Sequence, residues 1–231
     1  MLFIFLNFAL SKIILNTNDE RKFLNWMRNY NTFYTGEEYH LRLGIFLTNI
    51  RFIQAYNNKK GITFHLSMNK FSCFTPSEYK SLLGLKIPVN FRKQPNNYGN
   101  LFKNKVEVPD SIDWRESDVV ISVKDQGNCG SCWAFSAIAT SESAFALKSK
   151  SLISFSEQNL IDCCTDCSGC KGGWPELALD FILNKQNGQF NAESDYPYKA
   201  VKGYCNYDST KSIGKITNYI SIKEADENDL K

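Results

Sequence analysis

The chain has 231 residues, enough for one large domain or two smaller ones. Apolar residues make up 43% and aromatics 14%, ample material for a packed core. The net charge of +3 comes from well-mixed basic and acidic residues, with no long basic run or basic–aromatic stripe, so nothing points to a nucleic-acid partner.

The first element is the apolar run Met1 to Leu10. It is too short for a membrane-spanning helix, which needs about 20 apolar residues. It reads instead as the core of a secretory signal, with 1–17 as the signal segment. No Lys or Arg precedes the run, and no Asn-x-Ser/Thr sequon adds separate support for secretion. Phe23, Trp26, Tyr30, Phe33 and Tyr34 then recur at spacings of three and four, the period of one helix face. Asn18 or Asp19 is expected to cap that helix. Thr35-Gly36 breaks the pattern, with Thr35 as the N-cap of a second helix.

The second helix carries a sharper stripe. Glu38, Arg42, Phe46, Asn49, Ile53 and Asn57 fall within an arc of about 100° at helical periodicity. Charged and amide groups thus share a face with Phe46 and Ile53, and Glu38 and Arg42 form an i,i+4 pair. By itself the stripe also fits an ordinary amphipathic helix with a polar edge. Residues 84–108 contain Gly84, Pro88, Pro95, Asn96, Asn97 and Gly99 and read as linker.

Cys132 opens an alanine-rich segment without Gly or Pro, running to Leu147, which is a helix suited to packing on several sides. Asp125, Gly127 and Gly130 make the approach to it a turn. Cys132 therefore stands at a helix N-terminus. There the macrodipole and free N–H groups favour an anion, and the thiolate is the reactive form of a cysteine nucleophile. Gln126 offers a side-chain amide nearby; alone it is an ordinary polar loop residue.

The eight cysteines are unevenly placed, with Cys73 alone and seven between Cys129 and Cys205. That crowding suggests disulfides and an oxidising compartment. Cys129-x2-Cys132 also fits a dithiol redox pattern, and Cys164-x2-Cys167-x2-Cys170 fits metal or iron–sulfur spacing. Cys129, Cys132, Cys167 and Cys170 would even furnish a four-thiolate zinc site. Such sites belong to reducing compartments, which conflicts with the secretory start. No metal and no other cofactor is expected.

The string from Gln126 to Trp133, Gln-Gly-Asn-Cys-Gly-Ser-Cys-Trp, resembles the papain-like cysteine peptidases. Its Cys-Gly-Ser-Cys-Trp core is a recognised family signature, so that match is recognition rather than derivation. All six positions of the Glu38–Asn57 stripe are similar to the signature helix in the propeptide of cathepsin L-like zymogens. Phe23, Trp26, Tyr30 and Tyr34 resemble the first propeptide helix. Val108-Pro109 to Arg115 resembles the start of a mature enzyme.

The resemblance implies an α+β fold. It would comprise a signal peptide over 1–17, a helical inhibitory propeptide over 18–107, and from 108 to 231 the mainly helical left domain of the papain-like fold. It implies a zymogen of a cysteine endopeptidase, secreted or lysosomal (vacuolar) and monomeric. Such an enzyme acts on peptide or protein substrates, with its own propeptide in the cleft. Cys132 would be the nucleophile, attacking a peptide carbonyl to give an acyl-enzyme that water then hydrolyses. Gln126 and the nucleophile's own N–H would form the oxyanion hole. Gly130, Ser131, Gly172, Gly173, Trp174 and Pro175 would bind substrate, the last two shaping a pocket for a bulky apolar side chain two residues before the scissile bond. Read from the residues alone, Trp174 fits a tight turn with a core tryptophan equally well. The resemblance also implies the disulfides Cys129–Cys170 and Cys163–Cys205. It leaves Cys164 and Cys167 as extra thiols that could pair with each other. The segment from Ser154 to Asn159 and Tyr196-Pro-Tyr198 are expected to be scaffold.

Two departures from the family matter. Ser67-Met68-Asn69-Lys70-Phe71-Ser72-Cys73 lacks the family's Gly and Asp, and Cys73 stands where the Asp tied to pH-sensitive propeptide release would be. The catalytic His and Asn of the family lie about 130–150 residues after the nucleophile, whereas the only histidines here are His40 and His65. The expectation is a β-rich right domain largely missing beyond Ile216, and a 231-residue chain that is inactive alone. The alternative is a propeptide-type inhibitor of related papain-like peptidases.

Overall fold

The computed structural model describes residues 17–88 and 109–221. The expected signal segment up to residue 16, and residues 89–108 of the expected linker, lie outside them. The chain divides into two compact units, Met1–Lys80 and Ser81–Lys231.

The first unit is built on α1 (Thr17–Asn29) and α2 (Gly36–Asn57), followed by the short α3 (Pro76–Ser81). Phe23, Trp26 and Met27 of α1 meet Leu43, Phe46 and Leu47 of α2 in a buried core that also holds Cys73. The Phe23 and Phe46 rings lie 5.3 Å apart. The apolar face of α1 is shorter than its sequence period suggested, because the helix stops at Asn29. Asn31 takes a left-handed φ of 48°. The Thr32 N–H then reaches back to the Met27 carbonyl at 2.9 Å, and the Asn31 N–H to Arg28 at 3.3 Å. This is a Schellman closure, and it ends the helix whatever apolar residues follow. Phe33 is consequently 83% exposed. Tyr34 reaches the core from the loop, stacked on Phe23 at 6.5 Å.

The caps also differ from expectation. Helix α1 begins at Thr17, so Asn18 sits in its first turn, where its carbonyl accepts from Arg21 at 2.9 Å. Thr35 does occupy the N-cap of α2, but its side chain makes no capping hydrogen bond.

The mixed stripe of α2 has a physical explanation. Phe46 enters the core, while the polar members hold the irregular segment that follows α2. Asn57 pairs twice with Leu66, donating to its carbonyl and accepting from its N–H, both at 2.8 Å. Asn49 donates to the Ser72 carbonyl at 2.8 Å. Arg42 donates to the Cys73 carbonyl at 2.9 Å and grips Glu78 through two bonds of 2.7 and 2.6 Å. Glu38 supports Arg42 more loosely at 3.3 Å. One helix face thus supplies partners for the backbone groups of an irregular segment.

The second unit is organised by α4 (Cys132–Ser149), packed on α5 (Glu157–Cys163) and α6 (Pro175–Lys185). Alanines 134, 137 and 146 are buried on α4 and allow the close approach. Trp133, Ile138, Phe155, Leu160, Ile161, Ile182 and Phe190 fill the core. A two-stranded antiparallel ladder, β1 (Gln189–Asn191) with β2 (Ser212–Lys215), closes one side. Disulfides join Cys129 to Cys170 and Cys163 to Cys205, with Cα separations of 4.6 and 4.7 Å. Among the described residues, no helix is long and apolar enough to cross a membrane.

Residues 82–88, expected to belong to the propeptide, pack with this second unit. The boundary of compactness at 80/81 therefore precedes the expected domain boundary at 107/108.

Candidate active site

Cys132 is the first residue of α4, half-buried, with Ser131 at the N-cap. The Ser131 carbonyl takes the Ala134 N–H at 2.8 Å and starts the helix. The Ser131 side chain makes no capping bond; it is fully buried and meets the Tyr198 hydroxyl at 2.7 Å. The first N–H groups of α4 are therefore not taken by a side-chain cap, the arrangement that favours an anion at a helix start.

The turn before Cys132 is pinned from several directions. The Cys129–Cys170 bridge joins it to the 169–173 segment, and the Gly130 N–H donates to the Cys170 carbonyl at 2.9 Å. Trp133 sends its indole N–H to the Gly169 carbonyl at 3.1 Å. Its ring also explains Gly173, where a Cβ would come within 2.6 Å of the ring. Gly172 takes a φ of 118°, a conformation suited to glycine.

Gln126 lies beside this turn. Its amide donates to the Cys129 carbonyl at 2.8 Å and to the Leu82 carbonyl at 2.9 Å. Leu82 begins a short stretch of the chain's own backbone that runs along the wall. Leu85 pairs with Gly173 as a parallel bridge. The Gly173 N–H donates to Gly84 at 2.8 Å, and the Lys86 N–H donates to Gly173 at 2.9 Å. Gly84 lies so close to the Gly130 carbonyl that any side chain there would collide with it. The wall that could pair with an extended peptide is thus paired with residues 84–86.

The predicted substrate-binding residues fall on both sides of this stretch. Gly130 and Ser131 precede the thiol, Gly172 and Gly173 form the opposite wall, and Trp174 and Pro175 open α6. Trp174 is half-buried, between the two readings left open for it. Cys164 and Cys167 remain buried thiols in hydrogen-bonding contact with each other. The Cys129–Cys170 bridge occupies two of the four sulfurs that a four-thiolate zinc site would require. Cys73 is fully buried and unbridged, and burial pushes its thiol up to about 12. His40 and His65 both lie in the first unit.

Tyr198 was read as scaffold, yet its hydroxyl donates to the Gln126 carbonyl at 2.6 Å as well as meeting Ser131. A buried charge cluster was missed altogether. Lys124, two residues before Gln126, donates to Glu142 at 2.9 Å and to Glu157 at 2.6 Å. Burial alone would lower the pKa of Lys124, but the two carboxylates outweigh it and raise it. A lysine just before the turn was the only local signal, since its partners lie 18 and 33 residues away.

Residues 108–231 match the family described as Papain family cysteine protease, and residues 23–79 match the Cathepsin propeptide inhibitor domain. A cathepsin L-like proteinase of Fasciola hepatica is 38% identical over 94% of this chain and 67% of its own length. Ananain of Ananas comosus is 38% identical over 91% of this chain, which spans 60% of ananain. Among solved structures, digestive procathepsin L2 proteinase from Tenebrio molitor larval midgut superposes with a TM-score of 0.82. Its identity is 31%, covering 92% of this chain and 70% of that one.

Proposed function

The chain belongs to the papain family of cysteine proteases, and on that premise we propose that it is the propeptide and nucleophile-bearing part of a cysteine endopeptidase zymogen. In this reading 18–107 is the propeptide and the peptidase domain starts at 108. Cys132 attacks the substrate carbonyl as a thiolate. The Gln126 amide and the Cys132 N–H hold the oxyanion, and the resulting acyl-enzyme is hydrolysed. A bulky apolar side chain is accepted beside Trp174 and Pro175. The protein is secreted or lysosomal.

One observation carries the proposal. The amide that would bind an oxyanion is held by the chain's own Leu82 carbonyl, while Gly84 to Lys86 pair with the glycine wall. This is how a chain that must stay inactive would occupy its own cleft.

Residues 1–231 contain no histidine after His65. The proposal therefore includes inactivity of this polypeptide by itself, the general base being absent from it. The test extends the chain with the part of the Fasciola relative that this chain does not cover. The extended protein, with both disulfides mapped as a folding control, is expected to cleave peptides once its propeptide is removed. The 231-residue chain should not. Activity in the extended protein that survives Cys132→Ser would overturn the assignment. Activity of the purified 231-residue chain that Cys132→Ser abolishes would overturn its inertness.

A further inference from the structure

Three carboxyl groups and one ammonium meet beneath the turn that carries Gln126. Lys124 bonds Oε1 of both Glu142 and Glu157, as described above. Glu142 Oε1 also accepts from the Phe155 N–H at 2.8 Å and the Ser154 hydroxyl at 3.3 Å. Glu193, just after β1, accepts the Tyr198 N–H on its Oε1 at 2.7 Å. Glu193 belongs to the same cluster, where Lys124, Glu142 and Glu157 all bear on its carboxyl group. Two of the three other oxygens are Glu157 Oε2 and Glu193 Oε2. Both are buried and have no partner.

Counting charge makes the problem plain. Fully ionised, the cluster would set three negative charges against one positive, with Glu157 1% and Glu142 2% exposed. A buried, uncompensated carboxylate is costly, and neighbouring carboxylates repel each other. One proton between them removes a charge and gives both orphan oxygens a partner.

We propose that Glu157 and Glu193 share one proton through their Oε2 atoms, and that this carboxyl–carboxylate pair positions the nucleophile turn through Tyr198. Glu193 holds the Tyr198 backbone, and the Tyr198 hydroxyl holds the Gln126 carbonyl and Ser131. Glu157 holds Lys124 at the base of the same turn. The groups facing the pair are Lys124 from the turn, Glu142 from α4 and Tyr198 from the loop after β1; Asp125 also bears on Tyr198. Burial raises both members of the pair, Glu157 to about 7 against the pull of Lys124. A raised carboxyl stabilises the fold below its unfolded value, and that contribution is lost as pH rises through about 7. The shared proton stands on the cluster alone, whereas its bearing on an oxyanion hole rests on the proposed role of Gln126.

Infrared difference spectroscopy on the 231-residue chain tests the proposal. At about pH 6 an ordinary carboxyl is ionised. The folded chain should nevertheless show the C=O stretch of a protonated carboxyl, lost in Glu193→Gln and in Glu157→Gln. Glu193→Gln should keep its stability, because the amide can donate to Glu157 Oε2 and still accept from Tyr198. Its stability should also stop falling between about pH 5 and 8. Glu193→Ala should be less stable throughout that range. Absence of the band in the folded wild type, or a Glu193→Gln variant as unstable as Glu193→Ala, would overturn the shared proton. Failure of the peptidase reading would leave the band untouched, so the two failures are distinguishable.

Discussion

The two units of this chain solve the same packing problem by different means. In the first, an irregular segment is held by the side chains of a single helix, through Arg42, Asn49 and Asn57, and Cys73 is left unbridged. In the second, comparable loops are held by two disulfides and a buried charge cluster. The first design relies on hydrogen bonds that water and acid can compete for. The second relies on cross-links that neither removes.

The largest effect that sharpens the comparison is loss of a cross-link. Replacing Cys129 and Cys170 together with Ser opens a loop whose ends are 41 residues apart. The expected cost is about 4 kcal/mol, confined to the second unit. Denaturant unfolding followed by hydrogen exchange would read this, with protection lost in α4 to α6 and kept in α1 and α2. Equal loss in both units would break the distinction.

Next is Asn57→Ala, which removes both bonds to Leu66 and leaves its backbone groups without those partners. About 2 kcal/mol should be lost from the first unit alone, measured by the same exchange experiment.

The smallest effect concerns acid. Hydrogen bonds from Arg42, and then from the Thr75 N–H, hold the Glu78 carboxyl down at about 2. Its pKa is lowered on folding, so its contribution is present above the ordinary carboxylate value and is lost as pH falls towards about 2. Because Glu78 is partly exposed, Glu78→Gln should cost only about 1 kcal/mol near neutrality. The variant and the wild type should converge in stability only as pH falls to about 2. The Glu157 contribution has the opposite sign, lost as pH rises through about 7. Lowering the pH should therefore favour the second unit between about 7 and 5, and weaken the first only between about 4 and 2. A thermal unfolding series over pH that moved both units in the same direction would contradict this.

Local patterns in the sequence were legible where one helix face carries them. The stripe from Glu38 to Asn57 is a period, and the start of α4 at Cys132 follows from composition and the glycines before it. The end of α1 was not legible, because a left-handed Asn31 overrides the apolar spacing that continues to Phe33 and Tyr34. The charge cluster was hidden for a different reason. Lys124, Glu142, Glu157 and Glu193 come from four separate stretches, and each alone reads as a solvated charge. Tyr198 contacts Gln126 across 72 residues, a relation no local pattern encodes. The glycine of Leu83-Gly84-Leu85 was read as linker chemistry, whereas its function is close backbone approach to Gly130.

We propose that Cys132 is a nucleophile beside a glycine wall and a Gln126 amide that residues 82–86 of its own chain already occupy. The rate at which a neutral alkylating reagent modifies Cys132, read by peptide mass mapping, tests it most directly. Cys73, Cys164 and Cys167 serve as buried references. In Gly84→Val the added side chain cannot fit against the Gly130 carbonyl, so residues 84–86 should leave the wall and free the Gln126 amide. Cys132 should be modified markedly faster in the variant than in the wild type, with the three reference thiols unchanged. Equal rates at Cys132 in the two proteins would contradict it.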